Sequence, residues 1–374
     1  MIVGIDGNEA NVRERVGVNT YCFELLKNMA KLSGDEGNDL NLIVYLKDKP
    51  LPDMPKEMQN FKYKIISGKG NWILTKLTPE LFFGRPKPDI FFSPNTYIPP
   101  LAPMTRVSSI MDLGYLKFSG QFRKKDFWQL SVWSAISIFI SKAIIAISNS
   151  TKEDIVRHYP FAKKKTYVTH LAYDKEKFND KIDPSDVRRV KNQYSIVTDY
   201  VLYIGTLKPS KNIESLIKAF AITSIKYPDM KLVIAGKKGW MYETIFERAK
   251  ELGLKEKIIF TDFIPEEDKP ALTKGAKVFV LPSYWEGFGL DALNAMACGV
   301  PVVVSNVGSL PEVVGDAGIL IDPKNPEDIA SGIDKVLSMP KSDYNSLVDK
   351  GIRQSAQFSW EKTASDTLKI LKNI

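Results

Sequence analysis

Glu286, Gly287, Phe288 and Gly289 lie between an apolar run, Val278–Leu281, and a helix-forming stretch, residues 290–298. The run is rich in β-formers and reads as a buried parallel strand. Gly299 and Pro301 end the helix, and residues 301–305 are the next strand. A helix N-terminus presents unpaired N–H groups and a partial positive charge, which suits a phosphate. Gly287 and Gly289 carry no side chain, so a diphosphate can approach the backbone. The Glu286 carboxylate, just before the helix, would accept hydrogen bonds from hydroxyls beyond the phosphates. Asn294, about one turn inside the helix, could reach a ribose. A second junction follows the strand Tyr200–Ile204: residues 205–212 run into a helix beginning at Ile213. There Lys211 would neutralise a diphosphate as a point charge. Taken singly, these features also fit an ordinary strand–loop–helix crossover and a solvated lysine.

Other candidates are weaker. The loop of residues 7–19 contains Gly17 and precedes an amphipathic helix. Met111-Asp112 ends another strand, at the carboxyl edge where doubly wound folds place ligands. Asp112 equally suits a helix cap. The two histidines, His158 and His170, lie beside no evident partner, so no strong general base is visible. Gly-x-Gly-x-x-Gly, a Walker loop and Asp-x-Asp are all missing, which argues against dinucleotide, NTPase and metal-chelated diphosphate chemistry.

The stretch from Ser283 to Val302 resembles the retaining glycosyltransferases of family 4, which have the GT-B architecture. Ser283, Glu286, Gly287, Phe288, Gly289, Ala295, Met296, Ala297, Gly299, Pro301 and Val302 match the family's pattern. The resemblance extends over nearly the whole chain. It implies two Rossmann-like parallel-sheet α/β domains facing a cleft. The implied reaction moves a hexose-type sugar from a nucleoside-diphosphate sugar to an acceptor hydroxyl, with retention and without metal or cofactor. The leaving phosphate would itself take the acceptor's proton, with Lys211 and the helix behind Gly287 and Gly289 stabilising its charge. Glu286 would orient the sugar. The resemblance places Lys211 against the diphosphate, the backbone around Ile264 beside the base, and Gly17, Leu290 and Asn294 at the donor. Five positions depart from the pattern. Asn294 replaces the second glutamate, Met111 replaces a histidine near the donor sugar, and Asn19 replaces a glycine whose shape it could keep. Thr206 and Ser210 occupy places where an arginine is common.

The elements that must position these residues alternate strand and helix. Strand-like runs occur at residues 2–5, 42–46, 63–66, 90–93, 106–111, 143–147 and 166–169. Others occur at 200–204, 231–235, 258–260, 278–281, 301–305 and 319–321. The 374 residues suggest two domains. Residues 1–175 read as the acceptor-side domain, 176–199 as a connection, and 200–359 as the nucleotide-sugar domain. A last helix, 360–374, crosses back to the first domain. Cys22 and Cys298 have no metal-ligand spacing and point to a reducing compartment. The opening MIVGIDGN begins directly with a strand, so a cytoplasmic chain without signal peptide is expected.

The net charge of +8 is unevenly placed. Residues 1–178 hold 26 Lys+Arg and 18 Asp+Glu, and residues 179–374 hold 26 of each. Nucleic acid, an anionic membrane and an acidic substrate are the partners such a half could take; no nucleic-acid motif accompanies it. Arg123, Lys124 and Lys125 precede Trp128 and Trp133 in a nearly apolar run. Its serines and its separate terminal strand argue against a membrane span. Peripheral docking on an anionic membrane, towards a glycan or lipid-linked acceptor, is the expectation for this half. Because Asn294 and Met111 depart from the pattern, a non-catalytic sugar-nucleotide-binding protein or partner subunit is the alternative. A sugar-nucleotide epimerase of the same architecture is a third.

Overall fold

A computed structural model describes residues 1–34, 39–118, 120 and 124–374. Arg123 lies outside these. Two compact units divide the chain: Met1–Leu171 with Ser359–Ile374, and Ala172–Phe358.

The first unit is built on seven strands: β1 (Ile2–Asp6), β2 (Asn41–Leu46), β3 (Phe61–Ile65), β4 (Ile90–Ser93), β5 (Thr105–Ile110), β6 (Ala143–Ala146) and β7 (Thr166–Val168). They form one sheet in the order β3-β2-β1-β4-β5-β6-β7, every pairing parallel. The central strands β4 and β6 are buried at every residue, as helices on both faces of a parallel sheet require. The last helix, Trp360–Lys372, packs on the helix Val18–Ser33. Tyr21 meets Trp360 at 6.3 Å between ring centroids, and Thr363 donates to the His170 carbonyl.

The second unit has six strands: β8 (Tyr200–Ile204), β9 (Lys231–Ala235), β10 (Ile258–Asp262), β11 (Val278–Leu281), β12 (Val302–Ser305) and β13 (Gly318–Ile321). Their order is β10-β9-β8-β11-β12-β13, again all parallel. Counted within the unit, this is the doubly wound order 3-2-1-4-5-6. The strand order reverses between β8 and β11, which is where such sheets bind ligands. Residues 172–199, which include the segment 176–199 read as a connection, group with this unit. Their helix Pro184–Gln193 is tied down by Arg189, whose Nη2 lies 2.9 Å from the buried carboxylate of Asp268.

Three helices refine the sequence reading. Lys341–Ser355 buries Gly351 and Ser355 fully and lays half-buried Val348 and Ile352 beside Gly299, on a stripe the sequence reading did not cover. Lys124–Ile140 turns Ser134, Ser137 and Ile138 inward and leaves Trp128, Val132 and Phe139 outside, the reverse of an amphipathic core helix. Asn19 is not left-handed; it sits in the first turn of Val18–Ser33, its amide held by the Glu9 carboxylate at 2.7 Å.

Candidate active site

The two glycine-bearing junctions follow β8 and β11, the strands flanking the switch point of the second sheet. Cross-links join them. The N–H of Tyr284 donates to the carbonyl of Ser210 at 3.0 Å. Asn212, left-handed at φ 57°, caps a short turn over Pro209–Lys211. Its side-chain amide donates to the carbonyls of Pro282 (3.0 Å) and Pro323 (2.6 Å). The lysine-bearing loop is thereby fastened to the glutamate-bearing loop.

Lys211 and Glu286 meet: Nζ lies 2.5 Å from Oε1, and the same oxygen accepts from Ser283 Oγ at 2.6 Å. Both side chains are mostly shielded, at 17% and 12% exposure, so the pair sits where water screens it poorly. The Glu286 backbone is clamped as well. Its carbonyl accepts from Ser309 N–H (3.3 Å) and Ser309 Oγ (3.0 Å). A side chain on Gly308 would come within 2.7 Å of that carbonyl oxygen, so close approach there requires glycine.

The helix Leu290–Ala297 begins at Gly289, which adopts φ 96° and is closely faced by Leu310. The Phe288 ring is buried against Phe358 at 5.7 Å, so its packing anchors the loop while the backbone carries any ligand contact. Gly287, Leu290 and Asn294 are half-buried around the helix start. Thr206 and Ser210 are half-buried in the lysine loop, and Ile264 is buried just beyond β10. The structure therefore brings Thr206, Ser210, Lys211 and Glu286 to Asn294 into one region of the second unit. Gly205 and Gly236 lie against each other just after β8 and β9, where a side chain on Gly236 would fall 2.0 Å from the Gly205 carbonyl oxygen.

Two groups here escape a reading of the sequence. Asp291, half-buried in the first helical turn, has its carboxyl raised by burial, opposed by Lys269 and Lys211. Tyr203, wholly buried, is pushed well above the usual tyrosine range by burial, with Glu286 and Asp291 adding to it. Its hydroxyl finds no hydrogen-bond partner among the described residues. Nothing in residues 203 or 291 alone signals this; it depends on which strands become neighbours.

Gly17, Met111 and Asp112 belong to the first unit. Gly17 takes φ 53° and precedes the helix Val18–Ser33, with open space where a side chain would stand. The Met111 carbonyl accepts from Thr151 Oγ1 at 3.1 Å. Asp112 Oδ1 accepts from Gly114 N–H at 2.8 Å, two residues on, where the short helix Gly114–Lys117 begins; the N-cap position itself is Leu113. Among the described residues, no cluster of three His, Cys, Asp or Glu side chains could hold a metal ion.

Residues 189–354 match the family model described as Glycosyl transferases group 1. That segment holds the entire Lys211–Glu286 region. An O-antigen chain mannosyltransferase B of Escherichia coli is 35% identical over 243 residues, which is 63% of this chain and 62% of that protein. Fewer than two thirds of that relative's length is thus matched. Among solved structures, HepE of Anabaena, in complex with UDP and glucose, superposes with TM-score 0.77 at 17% identity, covering 100% of this chain and 99% of the other. A sucrose-phosphate synthase of Thermosynechococcus elongatus gives TM-score 0.76 at 19% identity, over 100% and 98%. At these identities the likeness is one of fold: two Rossmann-like parallel-sheet units of the GT-B class.

Proposed function

We propose that this protein is a retaining glycosyltransferase that moves a hexose from a nucleoside-diphosphate sugar to an acceptor hydroxyl in polysaccharide or glycolipid assembly. The observation that carries it is the Lys211–Glu286 pair, held at the two strand–helix junctions of the switch point. In this reading the diphosphate displaces Glu286 from the lysine. Lys211 and the N–H groups at Gly287 to Leu290 then take the charge that builds as the glycosidic bond breaks. Glu286, still held by Ser283 and the Ser309 clamp, turns to the sugar hydroxyls. The departing phosphate accepts the acceptor's proton on the same face, so neither a side-chain base nor a metal or cofactor is invoked. Asn294 takes the ribose. Mannose is the hexose proposed, after the named relative.

The proposal includes docking of the first unit on an anionic membrane. No described helix is long and apolar enough to cross one. Trp128 (65% exposed), Val132 and Phe139 (73%) recur along one stripe of Lys124–Ile140, and Phe161 packs on Phe139 at 5.9 Å. Lys124, Lys125, Lys163 and Lys164 are exposed around them. An apolar stripe rimmed by lysines fits an interfacial surface.

Asn294 favours a second reading, a sugar-nucleotide binder without turnover, because an amide offers one acceptor oxygen where a carboxylate offers two. Thermal shift with UDP, GDP and ADP, each alone and as its hexose conjugate, tests the site. Stabilisation by one nucleotide, lost in Lys211→Ala, is expected. No stabilisation by any of them would remove the donor site.

A further inference from the structure

The first unit contains a cavity of about 390 Å³ that plays no part in the donor chemistry. It is lined chiefly by Lys47, Asn71, Trp72, Tyr97, Gln129 and Trp133. Lys47 follows β2 and Tyr97 lies in the loop after β4, so the cavity opens at the carboxyl ends of the strands. Its walls are preset. Trp72 is buried, with Nε1 donating to the Ile66 carbonyl at 2.7 Å. Tyr97 and Trp133 meet edge to face at 5.8 Å and 74°. Gln129 Nε2 donates to the Tyr97 hydroxyl at 3.3 Å.

The chemistry of this lining is mixed in a particular way. The half-buried rings of Tyr97 and Trp133 offer apolar surface over a base of buried Trp72, while two amides, a phenol and an ammonium supply donors and acceptors at their edges. A pyranose presents the matching pattern, with C–H faces above and below the ring and hydroxyls around its rim. A lipid tail would leave the remaining donors and acceptors of Asn71, Gln129 and Lys47 without a match, which is costly. A phosphate would find only Lys47 as a charged group of the lining, and that ammonium lies 5.6 Å over the Trp72 ring. The volume falls within the range of small-molecule sites, roughly 300–1,000 Å³.

We propose that this cavity binds a sugar residue of the acceptor glycan other than the one being glycosylated, so that it selects the growing chain by its carbohydrate. This rests on the transferase reading and extends it to the acceptor. Gln129 and Trp133 sit on the same helix as the exposed Trp128–Phe139 stripe, which would hold a membrane-tethered glycan chain beside the cavity.

Calorimetry with di- to tetrasaccharides of mannose, glucose and galactose tests it, using wild type, Trp133→Ala and Gln129→Ala. At least one oligosaccharide should bind the wild type. Trp133→Ala should weaken it about tenfold and Gln129→Ala about fivefold, with nucleotide affinity unchanged. Gln129 is exposed on its helix, so that variant stays informative if Trp133→Ala fails to fold. No binding by any oligosaccharide, or wild-type affinity in the folded variants, would overturn the proposal. Nucleotide-sugar turnover with unchanged acceptor KM in the folded variants would sink the cavity but spare the transferase. Oligosaccharide binding that the variants lose, in a protein that turns over no nucleotide sugar, would support the cavity and remove the transferase.

Discussion

Lys211 Nζ lies 2.5 Å from Glu286 Oε1, so the cation and the carboxylate of the two junctions neutralise each other before any donor arrives. A diphosphate must compete for that lysine. Lys211→Ala should therefore weaken a bare nucleoside diphosphate, by about 1.5–3 kcal/mol for a lost charge-assisted contact. Glu286→Ala removes the competitor and a nearby negative charge. It should leave the bare diphosphate bound as well as before or better, while weakening the nucleotide sugar. Calorimetry with both ligands reads the difference. Equal affinities for wild type and both variants would dismiss the assignment.

Asn294 faces the question of the ribose. Asn294→Glu should tighten nucleotide binding by roughly 1 kcal/mol, about fivefold, because a carboxylate accepts from two vicinal hydroxyls. Titration of the bare nucleotide checks this. Weaker binding would mean the position serves something else.

Asp6, at the end of β1, gives a pH signature in the first unit. Burial pushes its carboxyl from 3.8 up to about 6, although the Asn8 backbone and side-chain N–H groups pull the other way. Between these values the folded chain binds more protons than the unfolded one, so stability falls as pH rises through the window. Asp6→Asn keeps the acceptor oxygen and removes the titration. Relative to that variant, the wild type should lose about 2 kcal/mol between pH ~4 and pH ~7. Denaturant melts at both pH values check it; parallel curves would refute the burial cost.

Docking of the first unit should need acidic lipid and decline with salt, since surface charges are screened over about 10 Å at 0.1 M. Vesicle sedimentation should show pelleting with anionic vesicles at low salt, reduced in Phe139→Ser and in Lys163→Glu/Lys164→Glu. No pelleting of the wild type would end the idea.

The strands were the legible part of the fold. β4, β6, β8, β11 and β12 are buried on both faces, and such strands stand out as unbroken apolar runs between turn residues. Helices with half-buried or polar inner faces were harder to read. Lys341–Ser355 meets its neighbours through Val348 and Ile352, which are only half-buried, and Lys124–Ile140 shows Trp128, Val132 and Phe139 outward. In the site, Lys211, Glu286 and the glycines were readable because they follow strand ends in sequence. The Gly308–Ser309 clamp, Asp291 and the Tyr203 hydroxyl were not. Their proximity to Glu286 arises from the packing of β8, β11 and β12 side by side.

Sugar transfer itself is tested most directly by following one reaction. Wild type and Glu286→Ala would be incubated with UDP-, GDP- and ADP-hexoses, including GDP-mannose, and oligosaccharide acceptors. Released nucleoside diphosphate would be measured and the new anomeric proton read by NMR. Expected is turnover of one donor by the wild type, a glycoside with the donor's own anomeric configuration, and a loss of at least about a hundredfold in the variant. A wild type that binds a nucleotide sugar but releases no diphosphate with any acceptor would contradict it and leave a binding protein in its place.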